Sequence, residues 1–157
     1  MPTRLVAWLD RVFADAFETF HHGRLFAATL GHLAAVMDHM PTDFRDGRTF
    51  PRRGRDTLGN AMWLARAFDK ARAAAAGTIF DYIYPCPMDQ GVFERWGITS
   101  AQFDAAVRTH TTDDAIHHWL IDRVPPERII AANQWLLNEK SANLDHQDAE
   151  EGATAPA

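Results

Sequence analysis

One stretch in the middle of the chain, residues 57–96, constrains the fold most. It reads TLGNAMWLARAFDKARAAAAGTIFDYIYPCPMDQGVFERW and contains an alanine-rich run, a glycine and a Pro-Cys-Pro corner. The apolar residues of its first half recur at helical spacing, and Gly77 is a typical terminator because glycine adopts the left-handed conformation at no steric cost. Asp56 or Thr57 can cap such a helix. The pattern therefore predicts a helix from about residue 57 to Ala76.

The second half of this stretch predicts an extended segment and then another helix. Residues 79–84 are aromatic and β-branched, which favours a short strand or extended segment. A strand there needs a partner, and three alternatives stay open: a second chain, a hairpin within the loop, or no true strand. Pro87 suits the first position of a helix that ends near Trp96, before Gly97. Cys86 is then predicted to be the cap of that helix.

The remainder of the chain is predicted to be helical. Thr99 with Gln102 matches a capping box, and Thr111 with Asp114 repeats the device. A helix is expected after each box, and a pair of prolines opens one more. The predicted fold class is all-α or mainly α, as a single compact helical domain with one short extended segment at about residues 79–84.

Three parts are predicted along the chain. Residues 1–40 have helical apolar spacing interrupted once by His-His-Gly, which predicts an N-terminal helical hairpin packed on the body. Residues 51–140 form the helical core domain. Residues 141–157 contain four acidic residues and no lysine or arginine, so we expect a disordered acidic tail.

Composition and charge exclude several classes of function. The net charge is -5, most of it in residues 141–157, and nucleic-acid binding is not expected because it needs a basic face. Asp10 and Arg11 interrupt the apolar run that a signal peptide needs, and no run approaches the roughly 20 apolar residues of a membrane helix. The single cysteine, Cys86, excludes an intramolecular disulfide and favours the reducing cytoplasm.

Cys86 is the first candidate for chemistry. At a helix N-terminus its thiolate would be stabilised by the helix dipole and by a basic side chain from the preceding helix. Asp89 and Gln90 lie in the first turn of the same predicted helix. Asp89 would accept a backbone hydrogen bond at the corner or act as an acid or base. The alternative is that Cys86 is a small buried hydrophobic residue and Asp89 merely a cap.

The alanine-rich helix carries a second candidate site. Four charged residues lie within seven positions of it: Arg66, Asp69, Lys70 and Arg72. They form either a solvated face or a clamp on a carboxylate or phosphate, in which Asp69 orients a basic group or acts as a base. Arg52 and Arg55 precede this helix and would add to an anion-binding loop. Tyr82 would line the same pocket.

The sequence predicts no metal site and leaves the cofactor open. Eight histidines are present, but none matches HExxH or another strong metal-binding spacing. The chain also has no glycine-rich phosphate loop and no dinucleotide-binding fingerprint.

Five blocks in fixed order resemble a bacterial protein family, the domain of unknown function 5069. They are PRRGRDTLGN, LARAFDKARA, AAGT, DYIYPCPMDQ and GIT, and they lie within about residues 51–120. The resemblance implies a small, soluble, largely helical bacterial domain and no particular reaction. The residues that match the blocks include every candidate site residue named above: Arg52, Arg55, Arg66, Asp69, Lys70, Arg72, Tyr82, Cys86, Asp89 and Gln90.

Two functions are compatible with these residues. In the first, the protein is an enzyme that acts on a small anionic metabolite, with Cys86, Asp89 and Asp69 as catalytic residues and the basic residues holding the substrate. In the second, it is a non-catalytic ligand-binding module or a homodimer whose charges form an ion-pair network. Convergence of Arg66, Lys70 and Cys86 on one pocket would favour the enzyme. Pairing of the same side chains away from any cavity would favour the module.

Overall fold

Six helices and one very short hairpin make up residues 42–152, the part of the chain that this computed structural model describes. The elements are β1 (Thr57–Leu58), β2 (Ala61–Met62), α1 (Leu64–Ala76), α2 (Pro87–Trp96), α3 (Ser100–Thr109), α4 (Asp113–Ile121), α5 (Pro126–Glu139) and α6 (Ser141–Glu150). The mainly-α prediction is confirmed. Among these helices none is long and apolar enough to cross a bilayer. The hairpin predicted for residues 1–40 lies outside the described residues.

The first helix starts later than predicted because a hairpin precedes it. β1 and β2 pair antiparallel across Gly59 and Asn60, and Gly59 has a left-handed φ of 58°. Glycine and asparagine favour such a tight hairpin turn. Asn133 fixes the turn, since its side chain donates to the Asn60 carbonyl at 2.8 Å. The predicted helix start at Asp56 or Thr57 is therefore wrong, and α1 begins at Leu64.

α1 is the central helix of the described body. Nine of its thirteen residues are buried, and these include the charged residues Arg66, Asp69 and Lys70. A solvated face is therefore wrong for these three side chains. The aromatic core around α1 contains four tryptophans and two phenylalanines from neighbouring elements: Trp63, Trp96, Trp119, Trp135, Phe93 and Phe103.

Residues 78–86 form turns rather than a strand. Phe80 has a left-handed φ of 55°, and the Tyr84–Pro85 peptide bond is cis. Thr78 ties the start of this segment to the preceding loop, because its hydroxyl donates to the Thr42 carbonyl at 2.6 Å. Residues 79–84 therefore form no strand, which is the third of the alternatives left open, and the sheet in the described chain pairs residues 57–58 with 61–62.

The helix boundaries after this segment follow the capping residues. α2 starts at Pro87 and ends before Gly97, as predicted. The capping box of Thr99 and Gln102 is confirmed, with Gln102 N–H donating to Thr99 Oγ1 at 3.1 Å. α4 is capped by Thr112, one residue later than predicted, since its hydroxyl accepts the N–H of Ala115 at 3.2 Å.

The acidic segment after residue 140 forms a helix instead of a disordered tail. Leu144 of α6 is 1 % exposed. It packs beside Gly54 and Trp63, where a Cβ on Gly54 would lie 2.6 Å from the Leu144 Cδ2 atom. The prediction of disorder is wrong over residues 141–152, because the acidic side chains of this segment pair with arginines of the body. Residues 153–157 lie outside the described chain.

Candidate functional site

A buried carboxylate joins α1 to the start of α2. Asp89 is 0 % exposed and accepts three polar hydrogens. Trp63 Nε1 donates to Oδ1 at 2.8 Å, Lys70 Nζ lies 2.7 Å from Oδ2, and the Cys86 N–H donates to Oδ2 at 2.8 Å. We call Trp63, Lys70, Cys86 and Asp89 the Asp89 cluster. Its hydrogen bonds compensate the cost of burying the carboxylate.

Local sequence explains why these groups meet. Pro87 fixes the first position of α2, so Cys86 takes the extended cap conformation with φ -82° and ψ 170°. Asp89, three residues later, folds back onto the Cys86 N–H, and a carboxylate at this position is also favoured by the helix dipole. Lys70 points to the same place from the buried face of α1. The sequence predicted Asp89 as a cap or an acid, and the structure shows the cap.

The thiol of Cys86 lies against the same lysine. Lys70 Nζ is 3.3 Å from the Cys86 Sγ, and Cys86 itself is only partly buried. An ammonium group in contact with sulfur stabilises the thiolate, which is the nucleophilic form of cysteine. The cluster therefore places a partly buried thiol beside an ammonium group, while Lys70 and Asp89 are buried.

Arg66 forms a second buried site with the end of the chain that the structure describes. Its Nη2 lies 2.6 Å from Glu151 Oε1 and its Nη1 lies 3.0 Å from Oε2. Tyr82 also donates to Oε1, at 2.9 Å, and Nη1 reaches the carbonyl of Arg52 at 3.1 Å. We call Arg66, Tyr82 and the Glu151 carboxylate the Arg66 site. The rings of Trp63 and Tyr82 lie 5.6 and 5.8 Å from the guanidinium carbon.

The ionisation of both donors in the Arg66 site is shifted. Burial lowers the pKa of Arg66, but the hydrogen bonds and charge of Glu151 outweigh this effect and the net pKa is raised. Burial raises the pKa of Tyr82, and its hydrogen bond to the Glu151 carboxylate raises it further. Both donors therefore keep their protons at neutral pH.

Arg52 and Arg55, which precede the hairpin, also pair with carboxylates of the chain. Arg52 binds two carboxylates. Its Nη2 lies 2.8 Å from Asp69 Oδ1, and its Nη1 lies 2.5 Å from Asp113 Oδ2. Although burial lowers the pKa of Arg52, these two carboxylates raise it overall. Arg55 binds two carboxylates of α6. Its Nη2 lies 2.6 Å from Asp145 Oδ1, and its Nη1 lies 3.0 Å from Asp148 Oδ2.

Two predicted ligand-binding residues lie elsewhere. Gln90 donates to the Pro85 carbonyl at 3.2 Å and thereby supports the turn before Cys86. Arg72 stacks over the ring of Phe68, with the guanidinium carbon 5.2 Å from the ring centre, and lines an open cleft of about 560 Å³. Neither residue belongs to the Asp89 cluster or to the Arg66 site.

This cleft, the α1–α3 cleft, lies between the alanine-rich face of α1, the Tyr84–Pro85 turn and α3. Arg72 of α1, Arg108 of α3 and Thr111 line it together with the acidic Asp104. Tyr84 also lines the cleft, and its hydroxyl donates to Asp104 Oδ1 at 2.7 Å. Burial and this hydrogen bond raise the pKa of Tyr84. Two arginines and one aspartate therefore line the cleft, so positive charge exceeds negative charge along its wall.

The structure divides the predicted site into separate groups. Of the three residues whose convergence on one pocket would favour the enzyme, Lys70 and Cys86 meet, but Arg66 pairs with Glu151 instead, and none of the three lines the α1–α3 cleft. The pairing of Arg66 favours the binding module.

Cys86, Asp89 and Lys70 meet, whereas Asp69 is held by Arg52 and takes no part in the Asp89 cluster. The predicted catalytic role of Asp69 at Cys86 has no support in this geometry. Three residues with functional contacts were not anticipated as site residues: Trp63, Arg108 and Glu151. Glu151 was not anticipated because the acidic run that contains it was interpreted as a disordered tail.

Comparison with known proteins gives a family and no function. The model of a family described as "Domain of unknown function (DUF5069)" matches residues 48–155. The match includes both buried sites and extends beyond the resemblance over 51–120 to take in α6. No curated protein matches the chain.

Proposed function

This chain belongs to the DUF5069 family, and because the family description names no reaction we propose a function from the geometry. We propose that the protein is an enzyme that acts on a small anionic metabolite through the thiolate of Cys86. The observation that carries the proposal is the position of Lys70, whose ammonium contacts both Cys86 Sγ at 3.3 Å and Asp89 Oδ2 at 2.7 Å. A nucleophile that lies beside a fixed activating group is the common pattern of covalent catalysis.

Each member of the Asp89 cluster has a distinct role in this proposal. Cys86 provides the sulfur that attacks an electrophilic centre of the substrate. Lys70 stabilises the negative sulfur before the attack and can donate a proton to a developing anion afterwards. Asp89 positions Lys70, since its own two oxygens already accept hydrogen bonds from Trp63 and from the Cys86 backbone.

The α1–α3 cleft supplies a place for the anionic part of the substrate. Its wall contains Arg72, Arg108 and also Pro85, the residue directly before the nucleophile. Arginine forks bind carboxylates and phosphates with two parallel hydrogen bonds. A free thiol of this kind works in a reducing compartment, which is why we place the protein in the cytoplasm.

The reactivity of Cys86 tests the enzyme directly. The protein has one cysteine, so alkylation by iodoacetamide reports on this residue alone. We expect folded wild-type protein at pH 7 to be alkylated about tenfold faster than Lys70→Met, because loss of the ammonium lowers the thiolate fraction. The matched control is Lys140→Met, which removes a partly buried lysine between α5 and α6 that lies over the Trp135 ring, and which should leave the rate unchanged. Alkylation that occurs only on unfolding, or at equal rates in wild type and Lys70→Met, would overturn the proposal.

A second function, non-catalytic binding of a small anion, is favoured by a specific observation. The α1–α3 cleft is open and is lined by Arg72 and Arg108 but not by Cys86, so an anion bound there would not need the thiol. Titration calorimetry with phosphate and with succinate separates the two functions. Binding that is lost in Arg108→Ala and kept in Cys86→Ser, with slow alkylation of Cys86, would identify a binding module.

Self-association remains a proposal that rests on two exposed apolar residues of the turn segment. Phe80 is 54 % exposed and Ile83 is 70 % exposed, although both are large and apolar. Light scattering of wild type and of Ile83→Ser tests whether this segment pairs two copies in a homodimer. A mass of one chain for both proteins would reject the dimer.

A further inference from the structure

We propose that the Arg66 site binds a carboxylate ligand from outside the chain, and that Glu151 occupies the site as an internal substitute. The inference goes beyond the proposed function, because the Arg66 site is separate from Cys86 and from the α1–α3 cleft. It rests on that function only for the idea that the ligand is a metabolite. The replacement of Glu151 by an external carboxylate depends on Arg66, Tyr82 and Glu151 and does not involve Cys86.

The donors of the site are arranged for two oxygens of one planar group. Arg66 presents Nη1 and Nη2 to the two oxygens of Glu151 at 3.0 and 2.6 Å, and Tyr82 adds its hydroxyl to one of them at 2.9 Å. This is the fork geometry with which arginine recognises a carboxylate. The side chain of Arg66 is only 3 % exposed, so without an anion a buried charge would have no partner. The site therefore requires a carboxylate, whether its own or a ligand's.

The surroundings favour a flat anion over a tetrahedral one. The guanidinium lies within 6 Å of two aromatic rings, 5.6 Å from that of Trp63 and 5.8 Å from that of Tyr82. The three donors of Arg66 and Tyr82 satisfy both oxygens of a carboxylate. They would leave the remaining oxygens of a phosphate without a donor among these three groups, which is costly for a charged group in a buried site. We therefore assign a carboxylate and not a phosphate.

The present occupant is held by the least buried helix of the described chain. α6 buries only Leu144 and Asp148, whereas α1 buries nine residues. Glu151 follows the last residue of α6, and the next residue, Gly152, has a left-handed φ of 69°. Segments with little buried apolar surface open at a low free energy. Release of Glu151 can thus involve the last turn of α6 while Leu144 stays packed.

The test replaces the internal carboxylate and supplies an external one. Glu151→Ala is heated with sodium propionate, the side-chain fragment of glutamate, and with sodium chloride at equal ionic strength. With a weak Kd of about 10 mM, propionate at about 100 mM would favour the folded state about tenfold and raise the Tm by roughly 5 °C. The matched control is Glu150→Ala, because Glu150 is exposed and pairs only with His146 among the residues described. Its Tm should not respond to propionate.

Two results would overturn the assignment. Equal responses of Glu151→Ala and Glu150→Ala would show that propionate does not act at the Arg66 site. Stabilisation of Glu151→Ala by phosphate as strong as by propionate would show that the site does not select a carboxylate.

Wild-type protein provides an independent measurement that needs no variant. Hydrogen exchange of residues 147–151, the last turn of α6 and the residue after it, should become faster in propionate than in chloride, because the ligand competes with Glu151. If Glu151→Ala does not fold under any condition, this measurement decides, and unchanged exchange would overturn the proposal. Selective binding of propionate together with slow alkylation of Cys86 would reject the enzyme and leave the carboxylate site standing.

Discussion

Lys70 Nζ lies 2.7 Å from Asp89 Oδ2, and the two side chains are 3 % and 0 % exposed, respectively. This pair joins the central helix α1 to the first turn of α2 and also sets the position of Cys86. A buried ion pair of this kind gains little over an apolar pair, but the loss of one partner leaves an uncompensated charge. The pair therefore determines where the sulfur lies more than how stable the fold is.

Lys70→Met and Asp89→Asn should each lower the free energy of unfolding by about 3 kcal/mol, because each removes one side of a buried charge pair. The double variant should lose less than the sum of the two, since it leaves no isolated charge. Urea unfolding followed by tryptophan fluorescence measures all three. Additive losses would show that the two residues do not interact in the folded protein.

The exposed pair of Arg45 and Asp43 is the control for this cycle. Arg45 Nη2 lies 2.6 Å from Asp43 Oδ2 in the loop before the hairpin. The hydrogen bonds from Arg45 lower the pKa of Asp43 to about 2, yet both groups are open to solvent. Arg45→Ala should leave the Tm unchanged within error, since solvent screens an exposed ion pair.

Local signals in the sequence predicted the part of the candidate site that depends on local structure. Proline at the first helical position and a carboxylate three residues after the cap specify a helix start by themselves. The sequence therefore placed Cys86 and Asp89 at one helix N-terminus. It also placed Lys70 on the helix that contacts them, although not its bond to Asp89.

Contacts between residues that are far apart in the chain could not be predicted from the sequence. Glu151 binds Arg66 across 85 positions of the chain, and no local pattern specifies such a pair. The acidic run around it has low hydrophobicity, and taken alone it is typical of disorder. This acidic segment is ordered because it pairs with arginines from an earlier part of the chain. Arg52, Arg55 and Arg66 were predicted either to bind an anion or to form an ion-pair network, and the structure shows them paired within the chain.

Leu144→Ala tests whether α6 is part of the folded body. Leu144 is 1 % exposed, so its truncation should cost about 2–4 kcal/mol through lost burial and the cavity that remains. The control is Leu137→Ala on the neighbouring helix α5, where leucine is 49 % exposed and the loss should be small. Urea unfolding measures both. Equal and small effects would contradict the packing of α6 against the core.

Gly54→Ala should weaken the packing of α6 against the body, because Gly54 lies beside Leu144 of that helix. A Cβ at this position would lie 2.6 Å from Leu144 Cδ2 and 2.6 Å from the ring of Trp63. Overpacking of this kind costs about 1–3 kcal/mol, and here it should also speed hydrogen exchange of residues 141–151. Gly47→Ala is the comparison for hydrogen exchange: its left-handed φ of 63° makes alanine costly there, but no atom lies within 4 Å of the added Cβ, so exchange of residues 141–151 should stay unchanged. A Gly54→Ala protein with native stability and native exchange would show that this contact is absent.

The two tyrosines predict how stability falls at high pH. The chain contains only Tyr82 and Tyr84, and burial together with a hydrogen bond to a carboxylate raises the pKa of each. In the unfolded chain a tyrosine ionises near pH 10, at about its usual pKa. The folded state therefore holds more protons than the unfolded state above pH 10, and the free energy of unfolding must fall as the pH rises.

Ultraviolet titration separates this prediction from general alkaline unfolding. Tyrosinate absorbance should stay low above pH 10 and then rise together with the change in tryptophan fluorescence that marks unfolding. Tyr82→Phe and Tyr84→Phe should each remove half of the absorbance change and make stability less sensitive to pH in this range. If both tyrosines of the folded protein ionise near pH 10 while the fluorescence is still native, the hydrogen bonds to Glu151 and Asp104 do not hold in solution.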